Sequence, residues 1–205
     1  MATTSRTRTA ALWLLATLLP SSSAAEPWRN NAEARRLVTE MNDLARRNAW
    51  AGVSQTYERA IALPGVNYDS AVHWLAAEAA RNEGDMVITW RRLNRVLQIE
   101  PLHPDAIYQR AVIEASYGQV TLKARSKPDA PPALLGEDLG FNPEYRIAFT
   151  HAQEALTEAG RYEGVLPLGR YQLGEVAFEV FGGEPLLVKV RKSGKGRVAT
   201  QTVSF

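Results

Sequence analysis

The chain has 205 residues, with 24 Lys and Arg, 22 Asp and Glu, three His and no Cys. The absence of Cys excludes disulfides, thiolate catalysis, thiolate-held zinc and a lipid anchor on an N-terminal Cys. Residues 1–25 hold Arg6 and Arg8 and no acid, so the formal charge of +2 sits there, and the neutral remainder carries no basic excess of the kind a nucleic-acid footprint needs.

Residues 1–25 read as a secretory signal peptide. Arg6 and Arg8 give the positive start, residues 10–19 (AALWLLATLL) the apolar core, and residues 20–25 (PSSSAA) a small-residue cleavage site ending at Ala25. The apolar run falls well short of the roughly 20 residues that span a bilayer. An uncleaved, anchored N-terminus is the alternative. No later segment is apolar enough to cross a membrane.

Residues 26–31 form a short linker. Helices are then predicted over 32–48, 49–63, 68–82, 85–98 and 104–117. Asn48 and Gly84 tolerate the positive φ of a helix C-cap. Asp69 or Ser70 can cap the next helix, and Pro104 can stand in a first turn, where its missing N–H is not needed. Leu93, Val96 and Leu97 give an apolar stripe at helical spacing.

The pattern changes after Gly118. Val120-Thr121-Leu122-Lys123-Ala124 alternates like a strand, and Pro128, Pro131 and Pro132 break any helix there. Residues 143–159 return to a helix, with Ile147, Phe149, Ala152 and Leu156 as its apolar side and Gly160 as its stop. Residues 164–169 form a lead-in to Arg170-Tyr171-Gln172-Leu173. Residues 175–181 and 186–190 alternate as strands about a Gly182-Gly183 turn, and residues 193–196 turn into a last strand over 197–205. The fold class is therefore α+β, with a helical N-terminal part over 26–118 and a β-rich module with one inserted helix over 119–205.

The helical part repeats itself. With Asn48 and Gly84 in register, 36 positions apart, Met41 matches Ala77, Leu44 matches Ala80, Trp50 matches Met86, Tyr57 matches Leu93, Ala60 matches Val96 and Leu63 matches Ile99. The alignment continues from Ala77 to Ala111 and from Gly84 to Gly118. A fixed period of this size points to stacked helical hairpins. An ordinary helical bundle would share the amphipathic pattern without true repeats.

Over residues 32–118 this resembles the tetratricopeptide repeat. Ala77, Gly84, Met86, Val96 and Pro101 fill its small, Gly, apolar, small and Pro places in the second unit, and Met41, Asn48, Trp50 and Ala60 fill four in the first. Val96 is larger than usual, Asn48 replaces Gly, and residues 64–67 lengthen a loop. The resemblance implies a concave surface lined by the first helix of each pair. Its inward positions are Val38, Asn42 and Ala45, then Trp74, Glu78 and Arg81, then Tyr108, Val112 and Ala115. Val38, Trp74 and Tyr108 stand where carboxylate-clamping relatives carry basic residues. The implied groove is therefore an aromatic contact surface of Trp74 and Tyr108, with Asn42, Glu78, Arg81 and Val112 around it. Because such a stack needs about three repeats to stand alone, the β-module or the helix 143–159 is expected to close its open end.

The phrase LPLGRYQLGEVAFEV resembles the closing half of a PEGA-type β-sandwich, with Leu166, Pro167, Gly169 and Tyr171 at its turn and Val120 opening its first strand. The inserted helix is foreign to that family. The resemblance implies a bacterial surface protein.

Chemistry is sparse. His73 falls at an interior repeat position, His103 precedes Pro104, and His151 lies with Glu154 on what reads as a solvated helix face. None has metal-ligand spacing. No nucleophile elbow, phosphate loop or dinucleotide fingerprint occurs. Ser193 to Arg197 (SGKGR) could nest an anion, but no helix follows it, and a solvated hairpin fits as well.

The expectation is an exported, non-enzymatic scaffold of the bacterial envelope, periplasmic or extracellular. It would hold another protein or peptide in the helical groove, with no cofactor, metal or nucleic acid. The alternative is an accessory factor whose module contacts glycan through Tyr162, Tyr171, Phe178 and Phe181 while the helices recruit an enzyme.

Overall fold

A computed structural model describes residues 27–124, 133–137, 140–191 and 199–204. The signal-peptide reading of residues 1–25 and the turn at 193–196 lie outside them. After a short 3-10 turn, Pro27–Asn30, helices α1 (Ala32–Arg46) and α2 (Trp50–Ile61) form one pair, and α3 (Ser70–Asn82) and α4 (Met86–Ile99) a second; α5 (Pro104–Glu114) follows. Local chemistry sets these boundaries. Asn48 and Gly84 hold φ of 56° and 77° at the two matching turns. Asp69 Oδ1 accepts from the N–H groups of Ala71 and Val72, and His103 Nδ1 from Ala106 N–H. Pro104 opens α5 at the tolerated position.

The helix expected over 104–117 stops early. Tyr117 already belongs to strand β1 (Tyr117–Ala124), because its ring is needed in the core, at 3 % exposure, and its backbone in a sheet ladder. β2 (Leu134–Gly136), α6 (Pro143–Ala159), β3 (Arg161–Pro167), β4 (Gly169–Leu173), β5 (Val176–Val180), β6 (Leu186–Arg191) and β7 (Ala199–Ser204) follow among the described residues. The strands make a four-stranded sheet ordered β3-β1-β6-β7 and a three-stranded sheet ordered β2-β4-β5.

One expectation fails here, and one turn joins two sheets. The lead-in at 164–169 is mostly strand β3, antiparallel to β1 from Tyr117↔Pro167 to Lys123↔Arg161. Its Gly164 hides the strand signal, yet Gly there leaves room for the Tyr162 side chain, whose hydroxyl a Cβ would meet at 2.6 Å. Gly182-Gly183 does not close a hairpin. β5 ends in one sheet and β6 begins in the other, where it runs parallel to β1. The turn residues permitted a change of sheet as readily as a reversal, and burial decided between them. α6 also turns slightly from its expected side: Ala148, Ala152 and Leu156 are buried, while Ile147 is half-exposed.

Two apolar clusters result. One joins α1, α2 and α3 through Leu37, Met41, Val53, Tyr57, Val72 and Ala76. The other runs without a break from α4 and α5 (Val87, Leu93, Val96, Ile113) into the strands and α6 (Leu122, Leu156, Leu166, Leu173, Val188). The core thus does not divide at residue 118. β3 and α6 lie on α4, and Arg91 Nη2 donates to Glu163 O at 3.3 Å. Cover for the open end therefore falls on α4; the outward side of α5 stays bare. Among the described residues no helix is long and apolar enough to cross a membrane.

Candidate binding groove

The first helices of the pairs, α1 and α3, enclose a cleft of about 250 Å³. Its walls are Val38, Met41, Ala71, Val72 and Leu75, with Asn42, Asp69 and Arg29 also lining it. Helical spacing produces it. Val38 and Asn42 are one turn apart on α1, as are Ala71 and Leu75 on α3. Asn42 Nδ2 donates to Val38 O at 2.8 Å, which steadies the amide on the surface. The cleft is smaller than the roughly 300–1,000 Å³ of common small-molecule sites. It suits a side chain of a bound segment better than a free metabolite.

The other expected groove residues are spread out. Trp74 stacks on His103, with ring centroids 5.0 Å apart and planes 29° from parallel. It thus braces the N-cap of α5 as well as facing outward. Glu78 accepts from Arg81 Nη2 at 3.0 Å and from Gln109 Nε2 at 2.9 Å, tying α3 to α5. Arg81 stays 44 % exposed in that pair. Tyr108 and Val112, 70 % and 54 % exposed, lie on the side of α5 opposite buried Ala106 and Ile113, outside the cleft. Only Val38 and Asn42 of the inward positions line the cleft itself. Leu75 and Ala71 were missed, although their place one turn from Trp74 and Glu78 was the available signal.

The back of the two pairs is polar and internally satisfied. Arg92, 9 % exposed, donates to Ala76 O at 2.7 Å and to Glu58 Oε1 at 3.1 Å, and its guanidinium lies 4.4 Å from the centre of the Tyr57 ring. Ser54 Oγ donates to Glu83 Oε2 at 2.9 Å. Ser54, Glu58, Glu83 and Arg92 line a second cleft of about 330 Å³ between α2 and α4. His73 is packed as expected. Its Nε2 donates to Asn67 O at 3.1 Å, so Nδ1 accepts from the Tyr57 hydroxyl at 2.9 Å. Burial holds its pKa below the ordinary range.

His151 departs from its reading as a solvated group. It is half-buried, and its Nε2 donates to Asp85 Oδ2 at 2.7 Å. Asp85 also caps α4 through Ile88 N–H. The hydrogen bond to Asp85 raises the His151 pKa against its own burial. Burial pulls the Asp85 carboxyl upward, but His151, Ile88 N–H and Arg91 outweigh it and leave the pKa lowered. His151 therefore contributes stability below its ordinary pKa and loses it as pH rises through the raised value. Asp85 contributes above the ordinary carboxylate value and loses it as pH falls through the lowered one. We expect His151→Gln to cost about 1–2 kcal/mol at about pH 5.5 and much less at about pH 9. Urea midpoints at the two pH values measure this; an equal loss at both would show that only packing was removed.

The four aromatics expected to contact glycan form no exposed row. Tyr162, Tyr171 and Phe178 are buried at 1, 3 and 8 % exposure, and only Phe181 of the four faces solvent. Tyr162 and Tyr171 are instead fastened to backbone, donating to Val165 O and Pro167 O at 2.8 Å each. The chain matches no protein-family model, no curated protein and no solved structure.

Proposed function

We propose that this protein is an exported binding scaffold whose two helical pairs are tetratricopeptide-like repeats. We also infer that an extended segment of a partner protein seats a side chain between α1 and α3. The observation that carries the reading is the cleft of Val38, Met41, Ala71, Val72 and Leu75 with Asn42 beside it. An apolar hollow beside a free amide oxygen suits a peptide, which brings side chains to bury and backbone N–H groups to satisfy. The matching left-handed turns at Asn48 and Gly84 support the repeat assignment. The leader-like residues 1–25 support export, with the bacterial envelope as the place of work. The lack of a nucleophile–base or paired-carboxylate motif in the sequence favours binding over catalysis.

The test is crosslinking capture from envelope extracts by the parent and by a Val38→Lys, Asn42→Ala variant with an unchanged circular dichroism spectrum. Asn42 is exposed and Val38 is a half-buried wall residue, and the unchanged spectrum checks that folding survives, whereas Trp74→Ala would also loosen α5. One protein held by the parent and lost by the variant is the expected result. Equal capture by both would sink the groove reading and direct attention to the module.

A further inference from the structure

α5 buries only Ala106 and Ile113. On its opposite side Ile107, Tyr108 and Val112 are 44, 70 and 54 % exposed, with Ala111 and Ala115 exposed between and beyond them. These five positions form one uncharged helical stripe. Its neighbourhood extends it. Leu102, 85 % exposed, precedes the helix, and Leu168, 41 % exposed, is held near its end by Leu168 N–H donating to Ser116 O. An exposed apolar surface of this kind marks an interface.

We propose that this face pairs with the same face of a second copy of the chain, with the two α5 helices antiparallel and crossing at Ala111. End-to-end stacking is the competing arrangement for a repeat array, and the far end forbids it. The outward side of α1 carries the ion pairs Arg36–Glu33, Arg36–Glu40 and Arg46–Asp43, which an apolar face would have to desolvate. The α5 stripe instead complements itself. A two-fold axis at Ala111 brings small residue to small residue at the crossing. It sets each Ile107 against the other copy's Ala115 and lays each Tyr108 across the Val112–Ala115 turn. The five stripe positions carry no charge that the pairing would bury. The pairing is isologous and closes at two copies.

The area sets its strength. An 11-residue helix is about 16 Å long, and such a face covers roughly 500 Å² per partner, near the lower bound for a specific interface. The dimer is therefore weak and concentration-dependent. The inference does not rest on the groove reading, since none of the stripe residues lines the α1–α3 cleft.

Sedimentation velocity of the purified protein over about 1 μM to about 1 mM should show a monomer converting to a dimer. Tyr108→Glu, on an exposed position, should weaken dimerisation by about tenfold or more with an unchanged circular dichroism spectrum. The chain has no Cys, so a single Ala111→Cys substitution reports the crossing directly. It should oxidise to a disulfide-linked dimer, and Glu40→Cys on α1 should not. A monomer at every concentration would overturn the proposal and leave the face to a helix of another protein. So would a dimer indifferent to Tyr108→Glu, or one that crosslinks through Glu40→Cys rather than Ala111→Cys.

Discussion

A chain ending at Gly118 is expected to unfold at a much lower urea concentration than the whole protein. The reason is the continuous core. Leu93 and Val96 are fully buried in a cluster that also holds Leu122, Leu156 and Leu166, and Met86 and Trp90 pack against it. Removing the strands and α6 strips cover from that side of α4. Each large side chain returned to water loses about 1.5–3 kcal/mol, so uncovering two or three costs about 3–9 kcal/mol, a large share of ordinary domain stability. The measurement is a pair of urea curves followed by circular dichroism. Equal midpoints would mean that the helices close their own core and that the module is an independent passenger.

The second large effect belongs to Gly118 itself. It lies in β1 opposite Leu166, and a Cβ built there would stand 2.2 Å from Phe181 O and 2.6 Å from Val180 Cγ1. The nearest obstacle is backbone and cannot rotate away. β1 of one sheet and the end of β5 of the other approach so closely at this point that only hydrogen fits. Gly118→Ala is expected to cost about 3 kcal/mol by forcing the sheets apart, and Gly118→Val more. Thermal and urea denaturation measure it. The comparison is Gly52→Ala in α2, where the new methyl meets only the mobile end of Leu44 at 3.1 Å. That change should stay within about 1 kcal/mol, since Ala favours a helix over Gly. If the two substitutions had the same effect, the inter-sheet contact would not be the cause.

Gly118 also shows how one residue supports two readings. In the repeat alignment it stands at the place of Gly84, where a helix would end with positive φ. In the structure it is a strand residue chosen for the absence of a side chain. Local sequence supplies the glycine, and the neighbouring sheet decides which of its properties is used.

Sequence alone determined the helices of the two pairs, because 3.6-residue periodicity, Asn48, Gly84, Asp69 and Pro104 act within a turn or two of chain. It determined that β-structure follows residue 118, and the resemblance to a helical repeat set Val38 and Asn42 at inward positions of α1, where they line the cleft. Tertiary structure decided what depends on partners distant in the chain. β3 was masked by Gly164, whose purpose is the ring of Tyr162. The separate sheets of β5 and β6 are set by which apolar face each can bury. His151 gained its charge partner from Asp85, 66 positions away. The bare side of α5 is likewise a tertiary fact. Its apolar spacing is plain in the sequence, but the chain's turn into β1, in place of a helix folding back, is what leaves that side open to solvent.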